Sequence, residues 1–304
     1  MPVNSVSRFG IQRKIVANMT SESWHNIPHV SYVYEPDITE FLAAYKEFDA
    51  SLGDRHITFN TVLLKAIAEA IKSAPQVNAH LHFENKLVRG KITQFDNIDI
   101  SVPWILPDGN MMTINMKDMG NRSLTDITNY SADINRRLAN TNLEEALYSI
   151  SLHDTLEGLS HGHVIKALQR LYGSKTNPRH RVRNLHGEAK KEYDKIPDCD
   201  KITYSDLKQG TITVSNIGAS SRDLRGTLEL LMIIPPQVCA IGIGALQKKP
   251  IVETDENGED KVKIATVLPI CICFDHRALD FGEVRPFIKR LDEFFNNPET
   301  ILIP

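Results

Sequence analysis

Short segments rich in apolar residues, bounded by turn residues, are spaced along the whole chain and predict β-strands. They are found at 29–34, 98–106, 111–116, 210–216, 234–244 and 267–274. The segments 234–244 and 267–274 are apolar almost throughout, which is typical of strands buried on both faces. A turn at 107–110 (Pro-Asp-Gly-Asn) joins two of the segments and predicts a β-hairpin.

Between these strands, apolar residues recur at the spacing of one helix face. Residues 11–24 carry Ile11, Ile15 and Met19 on one stripe, and 58–72 is the most strongly amphipathic segment, closed by Pro75. Further helices are predicted to begin at 37, 123 and 281.

Charged residues follow the apolar strand 267–274 without a break. Asp275, His276 and Arg277 stand at its end, and Asp280 comes four residues after His276. A polar cluster beside a dry strand costs free energy unless its members are paired. Taken alone, a His-x-x-x-Asp sequence is most often an ordinary surface turn.

The segment Asp275-His-Arg-Ala-Leu-Asp-Phe-Gly282 resembles the D-H-R-x-x-D-G signature of the 2-oxo acid dehydrogenase acyltransferases, specifically their E2 catalytic domain, which shares its fold with chloramphenicol acetyltransferase. Three more stretches match in family order. Arg13-Lys-Ile-Val-Ala17 matches R-K-x-I-A, residues 210–218 match G-T-F-T-I-S-N-L-G, and residues 234–244 match P-P-Q-x-A-I-L-G-x-G. The resemblance extends over most of the chain apart from about 140–207.

The resemblance implies an α/β fold of the chloramphenicol acetyltransferase type, with a mixed central sheet flanked by helices. It implies one acyltransferase catalytic domain over 1–304, assembled as a homotrimer or a higher assembly of trimers, with the active site between subunits. His276 would be the general base and Asp280 would hold its turn. Ser215 would hydrogen-bond the oxyanion beside a structural Asn216, and Arg13 would form a buried ion pair with Asp280.

The residue types suit this chemistry. A thiol of coenzyme A or of dihydrolipoamide must lose its proton as it attacks a thioester, and histidine has a suitable pKa near pH 7. The tetrahedral oxyanion needs a fixed donor, which a serine hydroxyl supplies. Coenzyme A is then a substrate, a lipoyl group on a carrier domain is supplied in trans, and no metal is required.

Departures from the family pattern leave alternatives open. Phe281 stands where the family has glycine, which favours a catalytically silent trimeric scaffold of the same fold. A second alternative is acetyl transfer to a small hydroxyl-bearing molecule. The sequence supports it less well, because acetyltransferases of that branch of the superfamily have a second histidine where Asp275 stands. The region 140–207 is an atypical insertion, in which residues 160–195 contain nine Lys or Arg against three Asp or Glu. It is interpreted as a docking surface for an acidic carrier or phosphates, or as a solvated helical hairpin.

Composition and charge bear on the binding partners and the cellular location of the protein. The net charge of −3 gives no general attraction to nucleic acid or to anionic membranes. No apolar run approaches the ~18 residues of a membrane span, and the N-terminus lacks the apolar core of a signal peptide, so a cytoplasmic protein is expected. The four cysteines form no disulfide pattern, and Cys271 and Cys273 are interpreted as small buried residues. The pairs His80/His82 and His161/His163 are too sparse for a metal site.

Overall fold

The computed structural model describes residues 4–106, 111–160, 164–165, 168–169, 172, 184–220 and 226–304. The predicted turn at 107–110, His161, His163 and much of the basic segment 160–195 lie outside these ranges. The chain divides into two compact units, one formed by Met1–Glu22 with Ala132–Lys208 and the other by Ser23–Ser131 with Gln209–Pro304. The single domain over 1–304 therefore stays a prediction.

Helices and strands follow each other through the chain, and each segment predicted from the apolar pattern contains the expected element. The helices are α1 Ile11–Asn26, α2 Thr39–Ser51, α3 Phe59–Ile71, α4 Leu124–Ala139, α5 Leu143–Ser160, α6 Gly187–Asp194, α7 Tyr204–Leu207, α8 Ile217–Ser220 and α9 Phe281–Asn296. The strands are β1 His29–Tyr34, β2 Ala79–Glu84, β3 Arg89–Gln94, β4 Ile100–Ile105, β5 Met111–Met116, β6 Ile212–Asn216, β7 Cys239–Ile243, β8 Gln247–Thr254, β9 Asp260–Val267 and β10 Ile270–Asp275.

The second unit is built on a six-stranded sheet in the order β1-β10-β7-β6-β4-β5. Strand β6 runs parallel to β4 and β7, whereas β10 runs antiparallel to β7 and β1. The sheet is therefore mixed, which confirms the expected α/β class. Every residue of β7 and β10 is buried, as the continuous apolar runs predicted.

Helix α3 is more enclosed than its amphipathic pattern predicted. Nine of its thirteen residues are buried, so little of its surface faces solvent. Thr58 precedes the helix, and its hydroxyl accepts a hydrogen bond from the Thr61 N–H at 3.1 Å, which satisfies one of the free N–H groups of the first turn. Helices α3 and α9 pack against each other in this unit.

A buried polar network joins the motifs 210–218 and 234–244 to Asn78, which lies far from both in sequence. The Asn78 amide donates to the carbonyls of Phe95 at 2.7 Å and Asn97 at 2.9 Å, and its oxygen accepts from the Thr211 hydroxyl. The Gln237 amide donates to the Gly210 carbonyl at 2.8 Å. These side chains fix β6 against its neighbours, because buried polar groups must find partners.

Gly210 has no room for a side chain at this point. A Cβ atom built there would lie 2.3 Å from the carbonyl oxygen of Asp99, a backbone atom that cannot move aside. The close approach explains why glycine opens the G-T-x-T stretch.

Replacing Asn78 by alanine tests the network. In Asn78→Ala the carbonyls of Phe95 and Asn97 and the Thr211 hydroxyl lose their hydrogen bonds to this side chain. Each buried polar group left unpaired costs about 1–3 kcal/mol. We expect the free energy of unfolding in urea to fall by at least about 2 kcal/mol. The control is Asn85→Ala in the exposed turn between β2 and β3, which should change it by less than about 0.5 kcal/mol. Equal losses for the two variants would contradict the network's role.

Candidate active site

The turn after β10 holds the backbone of His276 in place on both sides. The N–H of His276 donates to the Pro28 carbonyl at 3.1 Å, and the N–H of Asp275 donates to the Val238 carbonyl at 2.8 Å. The Asp275 carbonyl in turn accepts from the N–H of Leu279 at 3.0 Å. The histidine is therefore presented from a rigid strand end.

The imidazole of His276 is oriented by its own turn. Its Nδ1 lies 3.2 Å from the Leu279 carbonyl oxygen, and the same nitrogen lies 3.2 Å from Oδ1 of Asp280. A carbonyl oxygen only accepts, so Nδ1 carries the hydrogen and the lone pair of the neutral ring is on Nε2. The side chain is 53% exposed. The ring can therefore take a proton at Nε2 from an incoming group.

A buried ion pair spans the histidine. The Asp275 carboxylate is 1% exposed and accepts from Arg277 Nη2 at 2.6 Å and Nε at 3.0 Å. The ring of Phe83, on β2, lies under the guanidinium at 5.5 Å. Arg277 therefore compensates the charge of the Asp275 carboxylate at the end of the buried strand β10. The contribution of Phe83 has no local sequence signal, because it comes from a distant strand.

Asp280 stands at the N-terminus of α9. Its N–H donates to the Glu283 carboxylate at 2.8 Å, and its own side chain is 81% exposed. Phe281 is the first residue of the helix, and its ring lies 5.0 Å from that of Tyr32. Phe281 does not have a positive φ, so this position does not need the freedom of glycine.

The predicted pair between Arg13 and Asp280 stays a prediction. Arg13 belongs to the first compact unit and Asp280 to the second. In the single chain Arg13 is exposed, and the Asp280 side chain is 81% exposed.

Ser215 and Asn216 end strand β6, as the alternating pattern predicted. Ser215 is buried, and no hydrogen bond to its hydroxyl is found among the described residues. The Asn216 amide donates to Asn60 Oδ1 at 2.8 Å, while its oxygen accepts from the Ala219 N–H at 2.9 Å. Asn216 thus joins β6 to α3 and to the short helix α8.

The strand register separates Ser215 from His276 within one chain. Ser215 is level with Gly242 of β7, which is level with Cys271 of β10. His276 lies five residues beyond Cys271, or about 17 Å along the strand at ~3.3 Å per residue. We call the end of the sheet where β6 and β7 finish the serine end, and the opposite end, where β10 finishes, the histidine end.

The two cysteines of β10 are buried as predicted, but they also make polar contacts. Their sulfur atoms are 3.5 Å apart, and Cys273 Sγ accepts from the Leu231 N–H at 3.1 Å. The hydrogen bond from Cys271 lowers the pKa of Cys273, against the opposing effect of burial. The same bond raises the pKa of Cys271.

Within the described ranges, no group of three or more His, Cys, Asp or Glu side chains could hold a metal ion. No helix there is long and apolar enough to cross a membrane.

The ion pair around the histidine gives a direct prediction for Arg277. Arg277→Met leaves the buried Asp275 carboxylate without its cation, which should lower the free energy of unfolding by about 3–5 kcal/mol in urea denaturation. Arg290 is the matched control, because its exposed side chain pairs with Glu293 and lies over the ring of Phe294. Arg290→Met should cost about 0–1 kcal/mol. If Arg277→Met lowered the free energy of unfolding by no more than Arg290→Met, the role of the Asp275–Arg277 pair would be contradicted.

Comparison with known proteins adds to this geometry. The family described as 2-oxoacid dehydrogenases acyltransferase (catalytic domain) matches residues 3–149 and 181–303. The unmatched internal segment is therefore 150–180, which is narrower than the predicted insertion at 140–207.

A curated relative is the dihydrolipoyllysine-residue acetyltransferase component of the pyruvate dehydrogenase complex of Rickettsia bellii, 22% identical over 96% of this chain. The chain spans about half the length of that relative, 52%.

Two solved structures share the fold, each with a TM-score of 0.63 and 19% identity over 100% of this chain and 98% of theirs. One is the cubic core of the pyruvate dehydrogenase multienzyme complex. The other is the Azotobacter vinelandii dihydrolipoamide acetyltransferase, investigated for the role of a serine, a histidine and an asparagine in its catalytic mechanism. With the family matched over most of its length, the chain belongs to the 2-oxoacid dehydrogenase acyltransferases, of which it contains the catalytic domain.

Proposed function

We propose that this chain transfers an acyl group between a thioester and a thiol. The substrates are an acyl-CoA and a dihydrolipoyl group on a carrier domain supplied in trans. The observation that carries the proposal is the His276 ring, whose Nδ1 is held by the Leu279 carbonyl while Nε2 is left for a proton. Membership of the acyltransferase family and the chemistry of the curated relatives support the same reaction.

In this mechanism His276 is the general base. Nε2 takes the proton of the attacking thiol as its sulfur bonds to the thioester carbonyl carbon. The carbonyl oxygen becomes an oxyanion, which accepts a hydrogen bond from the Ser215 hydroxyl. Collapse of the tetrahedral intermediate breaks the original carbon–sulfur bond, and the departing thiolate takes the proton back from the imidazolium.

Asp280 has an electrostatic and positioning role in this proposal. Its carboxylate is 3.2 Å from Nδ1 of His276, where a negative charge favours the imidazolium that forms. In the Azotobacter vinelandii enzyme the investigated asparagine lies four residues after the histidine, the spacing of Asp280 here. An ionised carboxylate only accepts hydrogen bonds, so Asp280 cannot donate to the oxyanion as an amide could.

We further propose that each active site forms between two copies of the chain, in a homotrimer or an assembly of trimers. Both residues must reach one reacting carbonyl, and a separation of about 17 Å along the strands prevents this within one chain. Association of the serine end of one copy with the histidine end of the next brings them together. One of the structural neighbours is the cubic core of a multienzyme complex, so a related chain forms a large assembly.

The scaffold alternative rested on Phe281. Because Phe281 lies in a regular helical turn and packs on Tyr32, it leaves the His276–Leu279 contact intact. The geometry therefore favours the enzyme over the scaffold.

Single substitutions test the two roles with acetyl-CoA and dihydrolipoamide as substrates. His276→Ala should lower kcat by about 10²–10⁴-fold, since the base is lost. Ser215→Ala should lower kcat by about 10²–10³-fold with a much smaller change in KM. The exposed residues His82 and Ser73 provide control variants, His82→Ala and Ser73→Ala, which should keep wild-type turnover. An unchanged kcat in folded His276→Ala would reject the mechanism.

Mixing the two inactive variants tests whether the site is shared. When His276→Ala and Ser215→Ala chains are dissociated, mixed in equal amounts and reassembled, some sites receive an intact histidine from one chain and an intact serine from another. Random assembly should restore about one quarter of wild-type turnover, because each site draws its two residues from different copies. No recovery above the sum of the two separate variants would show that the site lies within one chain.

A further inference from the structure

A β-hairpin extends the central sheet beyond its serine end. In the sheet, Ile243 of β7 pairs with Ile270 of β10, and in the hairpin Gln247 of β8 pairs with Val267 of β9. The hairpin therefore continues the β7–β10 pair, with one extra residue on the β7 side, as in a bulge. It projects from the end of the sheet at which Ser215 lies.

One face of this hairpin is tied down by ion pairs. Lys249 contacts Glu35 at 2.6 Å, and Lys263 contacts Asp37 at 3.3 Å. Glu35 and Asp37 belong to the segment that follows β1. Ala265 and Val267 are buried on the same face of the hairpin, and the N–H of Ile38 donates to the Thr266 carbonyl at 2.8 Å. This face therefore holds the hairpin against the rest of the unit.

The middle of the opposite face is apolar and exposed, between the polar pairs Lys248–Thr266 and Thr254–Asp260. Directly paired residues share a face, and on this face Pro250 pairs with Ile264 and Val252 pairs with Val262. The exposed fractions are 65% for Val252, 72% for Val262 and 74% for Ile264. Hairpins that face water on one side normally carry their polar residues there, so this arrangement is inverted. A contiguous exposed apolar patch of this kind marks an interaction site.

We propose that this outer face of the β8–β9 hairpin docks on the neighbouring copy of the chain, the copy whose His276 completes the site at Ser215. The proposal rests on the shared active site proposed above. That site requires the histidine end of a neighbour to reach the serine end of this chain, and the hairpin projects from the serine end. The neighbour is therefore the partner already required at this position.

Apolar side chains are also exposed near the histidine end that must arrive there. Tyr32 and Phe281 stack on each other and are both partly exposed, and Phe281 directly follows Asp280. The outer hairpin face and the surface around Tyr32 and Phe281 are thus both partly apolar. They are two different surfaces of the chain, so the contact between two copies is not symmetric. Such a head-to-tail contact closes into a ring, which agrees with a trimer rather than a two-fold dimer.

The test is the oligomeric state and turnover of the full chain carrying V262D together with I264D. Two buried, unpaired carboxylates would oppose docking, so sedimentation should give monomers where the wild type gives trimers. Turnover per chain should fall at least about 10²-fold, because Ser215 then lacks its partner histidine. Circular dichroism should keep the wild-type spectrum.

Two controls isolate the hairpin face. The swap V262I with I264V keeps the face apolar and should leave the trimer and its turnover unchanged. L87D places the same charge on another exposed apolar residue, in the turn between β2 and β3, and should also leave both unchanged.

A labelling experiment covers the case in which the double aspartate variant does not fold. The variant V262C places a thiol on the hairpin face. A maleimide should react with this introduced thiol slowly in the assembled protein and faster after dilution to monomers. The exposed Cys199 is the internal reference for the reaction rate. A rate that is independent of assembly would overturn the docking proposal.

The outcomes separate this proposal from the proposed function. A trimeric, active aspartate variant would overturn the docking face and leave the acyltransferase intact. A monomeric variant with full turnover per chain would overturn the shared site and with it the inference drawn from it. A wild-type chain that is monomeric at every concentration would also overturn both.

Discussion

The buried carboxylate of Asp275 is the constraint on which the candidate site depends. Strand β10 is buried along its whole length, so a charge at its end must be compensated within the same turn. Arg277 does this from two residues away, and the chain between the two partners contains only His276. The pair closes a tight turn with the histidine on the outside. The direction of the imidazole is thus a consequence of charge compensation, and the Leu279 carbonyl then selects its tautomer.

The order of the strands sets a second constraint. Because β6 and β7 are parallel and β10 is antiparallel to β7, the ends of β6 and β10 lie at opposite ends of the sheet. No side-chain movement brings residues at these two ends to one carbonyl group. In the proposed function, association is therefore a requirement of the chemistry and not only a source of stability. This also gives a reason for a hairpin that is fastened by ion pairs on one face and left apolar on the other.

The sequence predicted local features well and distant contacts poorly. Continuous apolar runs identified β7 and β10, and the resemblance identified His276 and Ser215 as ends of strands. Nothing local indicated that Asn78 meets Thr211 across more than a hundred residues, or that Phe83 lies under Arg277. Asp280 has a second local role, because it directly precedes α9 and Glu283 follows three residues later, the spacing of a helix start. Its predicted ion pair with Arg13 stays a prediction.

Exposure of the site in a single chain is itself informative. Stabilisation of an oxyanion by a hydroxyl donor is strong only where water is excluded and the donor is fixed in advance. Ser215 is buried, but His276 is half-exposed and Asp280 almost fully exposed. The base is therefore in a wet environment until something covers the histidine end. A neighbouring serine end would exclude that water and supply the missing donor at once, so one contact would provide both the second residue and the dry environment that the reaction needs.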